Sequence, residues 1–264
     1  METVMDTVRN KGKQMLNKVP EITLYFWIIK VLCTTVGETV ADFLNTSFNL
    51  GLTGTSLVMS VLLITALIFQ FKSKRYKPGI YWLSVVLVSV VGTLISDNLT
   101  DNFGISLTTT TILFFITTIV VFVAWYMKEK TLSIHSIFTR QRESFYWLAI
   151  LSTFALGTAA GDLLAEGLNL GCLLSIGVFA AAIAVVALAH YRFKLNGVLS
   201  FWMVYILTRP LGVSIGDYLS SAHADGGLGL GTTITSALFL LAILGTVVYL
   251  AVTKKDVATK EISA

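Results

Sequence analysis

Leu24–Asp42 reads LYFWIIKVLCTTVGETVAD, and within it lies a frame of tryptophan, nine residues, glycine, four residues and aspartate. The frame occurs four times, as Trp27–Gly37–Asp42, Trp82–Gly92–Asp97, Trp147–Gly157–Asp162 and Trp202–Gly212–Asp217. Each copy sits in an apolar stretch long enough to cross a bilayer, where a carboxylate is costly. Four aspartates at one repeat position therefore point to a single site built four times.

The rest of the chain fixes the solvent. Of its 264 residues 55% are hydrophobic and 13% charged, with a mean hydropathy of +0.79. Soluble domains carry about 25% charged residues, so the composition predicts an all-α integral membrane protein. Eight apolar segments, each near the ~20 residues that span a bilayer, are read at 22–45, 50–71, 79–101, 105–127, 144–167, 171–191, 198–220 and 229–252. The first twenty residues are polar and basic and do not resemble a cleavable signal peptide. Cys33 and Cys172 lie in or beside apolar segments and read as small hydrophobes rather than a disulfide.

Charge sets the orientation. Of the nineteen Lys and Arg residues, all but Lys30 and Arg209 fall in the tails or in the loops that follow even-numbered segments. The positive-inside rule makes that side cytoplasmic. Both termini are then cytoplasmic, and a bacterial inner membrane is the expected location. These basic clusters read as topology determinants, not as a nucleic-acid surface. The expected divisions are a tail over 1–20, a first membrane half over 21–127, a linker over 128–143, a second half over 144–253 and a tail over 254–264.

Each repeat is expected to be a helical hairpin whose first helix carries the Trp–Gly–Asp frame. Two spans per repeat make all four copies enter the membrane in the same direction, as parallel repeats. Four such hairpins can close into an eight-helix bundle with pseudo-fourfold, two-by-two symmetry. The acidic helices would be innermost, because ionisable side chains avoid lipid. The glycine, and the small residue before each aspartate (Ala41, Ser96, Gly161, Gly216), would let helices approach closely. The tryptophan reads as an anchor in the aromatic belt at the cytoplasmic interface.

Fifteen residues of helix place each aspartate about 22 Å beyond its tryptophan, in the outer half of the membrane. Steps of three and four residues gather a stripe on one helix face. That stripe holds Thr35, Glu38 and Asp42; Thr93, Asp97 and Asp101; Thr158, Asp162 and Glu166; and Arg209 with Asp217. Asp101 and Glu166 read equally well as site members or as solvated rim charges, and the four aspartates have a structural alternative as helix caps. Crowded carboxylates in low dielectric need compensation from protons, basic residues or a metal. Oxygen ligands with hydroxyls nearby suit Mn²⁺, Mg²⁺ or Ca²⁺. No histidine–cysteine spacing supports a zinc or haem site, so no prosthetic group is expected. Arg209 needs a carboxylate partner from another helix, and Glu38 is the candidate. Pro210 is expected to kink its helix, and Lys30 to snorkel towards the cytoplasmic interface.

The Trp–Gly–Asp frame and its four copies resemble a bacterial family of polytopic membrane proteins with internal repeats and no known function. The resemblance implies the repeat and no mechanism. The residues favour a divalent-cation transporter, Mn²⁺ first, coupled to protons, with the four aspartates and Glu38 as binding groups. A passive cation or proton channel and a structural or sensory membrane protein are the alternatives. No nucleophile–base pair or nucleotide loop suggests an enzyme. The expected partners are the bilayer, a small cation and protons, and a homo-oligomer is compatible with this reading.

Overall fold

A computed structural model of the chain describes residues 17–47 and 50–257. The expected tails over 1–20 and 254–264 lie partly outside those residues. Among the described residues eight helices are long and apolar enough to cross a membrane. They are α1 (Leu24–Ser47), α2 (Gly51–Lys72), α3 (Pro78–Asp97), α4 (Leu107–Glu129), α5 (Arg140–Asp162), α6 (Gly171–Phe193), α7 (Gly197–Ser220) and α8 (Gly231–Thr253). Directly after Asp97 and Asp162, α3 and α5 each widen into one π-helical turn, Asn98–Asn102 and Leu163–Gly167.

Local chemistry explains the boundaries. Pro78 opens α3 where its missing N–H is not needed. Ser106 and Thr139 accept N-cap hydrogen bonds from Thr109 N and Arg142 N, and Asn196 from Val198 N and Leu199 N. Helices α2, α6 and α8 begin instead on glycines of positive φ, Gly51, Gly171 and Gly231, so their outer turns can reverse tightly. Pro210 does not break α7, which runs continuously from Gly197 to Ser220.

The odd-numbered helices form a closed ring of contacts, with α1 against α3, α3 against α5, α5 against α7 and α7 against α1. The even-numbered helices lie outside. In the inner helices 56–72% of the most apolar stretch is buried, against 17–22% in the outer ones. That asymmetry is what a bundle with a lipid-facing wall requires. The hairpin expectation needs one correction: the two helices of each repeat pack only weakly on one another. Each outer helix packs chiefly on the following inner helix, α2 on α3, α4 on α5 and α6 on α7, while α8 returns to α1. Every repeat is thereby clasped to its neighbour.

The tryptophans are not interface anchors. Trp82, Trp147 and Trp202 are buried, each exposing less than a twentieth of its surface, and Trp27 is partly buried. The residue before each one is also aromatic and buried: Phe26, Tyr81, Tyr146 and Phe201. Each of these rings packs on the tryptophan of the next inner helix, Phe26 on Trp82 at 5.7 Å, Tyr81 on Trp147 at 5.6 Å, Tyr146 on Trp202 at 6.3 Å and Phe201 on Trp27 at 5.6 Å between centroids. Eight rings thus close one end of the bundle, and a 2.5 Å hydrogen bond joins the Tyr81 and Tyr146 hydroxyls.

A strap seals that end further. Asn17 and Lys18 bond the backbone of Ile134 and Ile137, in the 128–143 linker. The Lys18 ammonium, far from being a solvated topology charge, is buried 2.5 Å from Glu143, whose other oxygen accepts from Gln70. Sequence periodicity carries no information about this clasp.

Candidate cation site

Beyond the aromatic tier the ring helices bring equivalent positions to a common depth. Seven residues after the tryptophans stand Thr34, Ser89, Phe154 and Arg209; eleven after stand Glu38, Thr93, Thr158 and Val213. The repeat glycine of each helix faces the first of these sets on its neighbour. A Cβ on Gly37 would lie 2.6 Å from Ser89 Cβ, on Gly92 2.8 Å from Phe154 Cβ, on Gly157 2.5 Å from Arg209 Cβ and on Gly212 2.5 Å from Thr34 Cβ. Real Cβ atoms do not approach so closely, so the glycine is what allows the ring its small radius. The small residues before the aspartates, Ala41, Ser96, Gly161 and Gly216, are likewise buried.

Arg209 occupies the ring's interior with no exposed surface. Its Nη1 donates to Thr34 O at 2.6 Å, and its Nη2 donates to Thr158 Oγ1 at 2.8 Å, to Thr93 Oγ1 and to Glu38 Oε2 at 3.3 Å. One guanidinium on α7 therefore reaches α1, α3 and α5. Its planar fork of five donors suits that task, which a lysine could not perform. Glu38 is the partner expected from the sequence, and Thr93 Oγ1 also donates to it at 3.1 Å.

Further along the axis lie the aspartates, all partly buried. One oxygen each from Glu38, Asp42 and Asp217 falls within 4.8 Å of the others. Oxygens on opposite sides of one divalent ion stand about 4–5 Å apart, so this trio has the span of a shared coordination shell. Asp97 and Asp162 are not in that group. They stand at the same repeat position, each followed by its π-helical turn, and neither side chain makes a cap hydrogen bond there. The capping alternative is not what these two residues do.

The remaining candidates divide. Thr93 and Thr158 hold Arg209, whereas Thr35 donates to Val31 O at 3.2 Å within its own helix. Asp101 and Glu166 are exposed, as rim charges would be. Among the outer-helix hydroxyls, Ser56 accepts from Asn98 at 2.7 Å and Thr111 donates to Ala159 O at 3.0 Å, so both serve helix contacts. His223 is engaged with Gly227 O at 2.9 Å. An outer groove of about 750 Å³ between α1, α6 and α7 contains none of the carboxylates in its lining.

Two features escaped the sequence reading. The aromatic residue preceding every tryptophan was legible as a fifth repeat position and would have signalled a packed tier. Lys30 does not snorkel: it is fully buried, with Nζ 4.2 Å from the ring centroids of both Phe154 and Tyr205.

Residues 25–76, 80–131, 145–196 and 200–256 each match one family, described as a Repeat of Unknown Function (DUF347). Neither the curated proteins nor the solved structures contain a match to the chain.

Proposed function

The chain belongs to the DUF347 repeat family, and we propose that its four repeats build a proton-coupled transporter for a divalent cation, Mn²⁺ foremost. The observation that carries this reading is the convergence of Glu38, Asp42 and Asp217. Hard oxygen donors of this kind prefer Mn²⁺, Mg²⁺ or Ca²⁺ to softer metals. Asp97 and Asp162 complete an acidic ring that draws the cation in and holds protons in its absence.

In this reading the repeats run parallel around an approximate fourfold axis, which the recurring glycine and aromatic contacts support. The charge distribution supports cytoplasmic termini in a bacterial inner membrane. Glu38 is the hinge of the mechanism, because its carboxylate belongs both to the oxygen trio and to the Arg209 pair. A cation that recruits Glu38 withdraws the countercharge of Arg209, and the hydrogen bonds from that one side chain to three other helices are then weakened. The closed aromatic tier beneath favours a gated carrier over an open channel.

Proteoliposomes provide the test. Mn²⁺ flux should respond to an imposed pH gradient and vanish in an Asp42→Asn/Asp217→Asn variant. Flux that ignores the pH gradient would indicate the channel instead, and no flux in the wild type would defeat both.

A further inference from the structure

A second cationic residue, Lys30, is buried inside the ring. Lys30 stands between the aromatic tier and Arg209, one helical turn before Thr34, whose carbonyl accepts from that arginine. It exposes no surface, and its Nζ has no hydrogen-bond partner among the described residues. Phe154 and Tyr205 present their rings to it, and the Arg209 guanidinium lies over the same Phe154 ring at 5.4 Å. Ring faces attract a cation but supply no countercharge.

The titratable groups around this layer are few. Cys33 lies on its own helix, Tyr205 and Arg209 on α7, Tyr146 on α5 and Tyr81 on α3; α8 contributes none before Tyr249. Glu38 is the carboxylate that pairs with Arg209 at this end of the acidic stripe, and among the described residues nothing pairs with Lys30. A neutral amine fits the pocket as a long apolar chain, and an ammonium is held only by the two rings. Unlike arginine, lysine can exchange between these forms in a protein interior.

We propose that Lys30 is a proton-binding site, set on the far side of Arg209 from the carboxylates and occupied in alternation with the cation. This rests on the cation reading for its partner ion, though not for the proton site itself. The linkage is electrostatic. While Glu38 pairs with Arg209, a proton on Lys30 adds one charge to a compensated pair. Once Glu38 turns to a cation, that proton would face an unpaired guanidinium across one shared ring, and it leaves. Cation binding therefore releases a proton from Lys30 as well as from the carboxyls.

Two measurements on the full chain in nanodiscs test this. In ¹⁵N-lysine-labelled protein, the Nζ resonance lost in Lys30→Met, or in Lys30→Arg should the first variant not fold, identifies Lys30. It should pass from ammonium to free amine as pH is raised from acid to mildly alkaline; a resonance that stays in one form throughout overturns the proposal. Calorimetric Mn²⁺ titrations in buffers of different ionisation enthalpy count the protons released. Lys30→Met should retain Mn²⁺ binding and release about one proton fewer per ion, and an unchanged count overturns the proposal. A wild type that binds no Mn²⁺ defeats the cation reading alone, and the resonance then decides the proton site.

Discussion

Arg209 Nη2 lies 3.3 Å from Glu38 Oε2 across the ring interior, a buried ion pair between the fourth repeat and the first. The equivalents of Glu38 are Thr93, Thr158 and Val213, and those of Arg209 are Thr34, Ser89 and Phe154, so the pair exists only once. The asymmetry falls where the oxygen trio and the hydrogen bonds of Arg209 meet, at Glu38.

Removing one member of this pair leaves the other charge stranded. Arg209→Met should lower stability by about 3–5 kcal/mol, the usual cost of orphaning a buried charge. Adding Glu38→Gln should restore part of that loss. Denaturant unfolding of the single and double variants in detergent measures both values, and additive losses would show that the two side chains are not coupled.

The repeat glycines should tolerate no side chain. Gly92→Ala places a Cβ 2.8 Å from Phe154 Cβ and 3.2 Å from Ala155 N, so a helix must move. An overpacking loss of about 1–3 kcal/mol is expected. Gly177→Ala and Gly245→Ala meet nothing within 4 Å and should be neutral or slightly stabilising. The three unfolding midpoints, compared under one condition, check the contrast.

Opening the aromatic tier should make the membrane leak. Trp147→Ala removes the ring on which Tyr81 packs at 5.6 Å and leaves a cavity in the closed end. Proteoliposomes bearing this variant should dissipate a pH gradient faster than wild type, whereas Leu241→Ala, at an exposed position on α8, should not. Equal leak rates for Trp147→Ala and wild type would show that the tier is not the seal.

Outside the membrane spans, His135 pairs with Glu21 at 3.2 Å, and the hydrogen bond to that carboxylate holds its pKa above the ordinary histidine value. The sign follows from linkage. The stabilisation is fully present below the unfolded value of about 6.5 and is lost as pH rises through the higher folded one. His135→Gln should therefore lower the thermal midpoint at acid pH and leave it unchanged at alkaline pH. A difference independent of pH would contradict this assignment.

The eight helices, their apolar lengths and the Glu38–Arg209 pairing were legible because depth along a helix follows from residue number and a buried charge demands a partner. What periodicity could not supply was azimuth. Trp147 lies at the depth expected of an interface anchor, yet its ring points into the bundle. Lys30 is long enough either to reach the interface or to turn inward, and the choice was made by Phe154 and Tyr205 on other helices. Nor does connectivity say that α2 will lean on α3 rather than α1. Of the four aspartates, Asp42 and Asp217 offer oxygens within 4.8 Å of one from Glu38, a grouping set by side-chain placement that the spacing of the repeats does not specify.

If the Glu38, Asp42 and Asp217 oxygens hold one divalent cation, electron paramagnetic resonance of Mn²⁺ titrated into the purified protein will detect it. One immobilised Mn²⁺ per chain is expected, retained in Asp97→Asn and lost in Asp42→Asn/Asp217→Asn. Unchanged binding in that double variant, or no immobilised Mn²⁺ in the wild type, would contradict it.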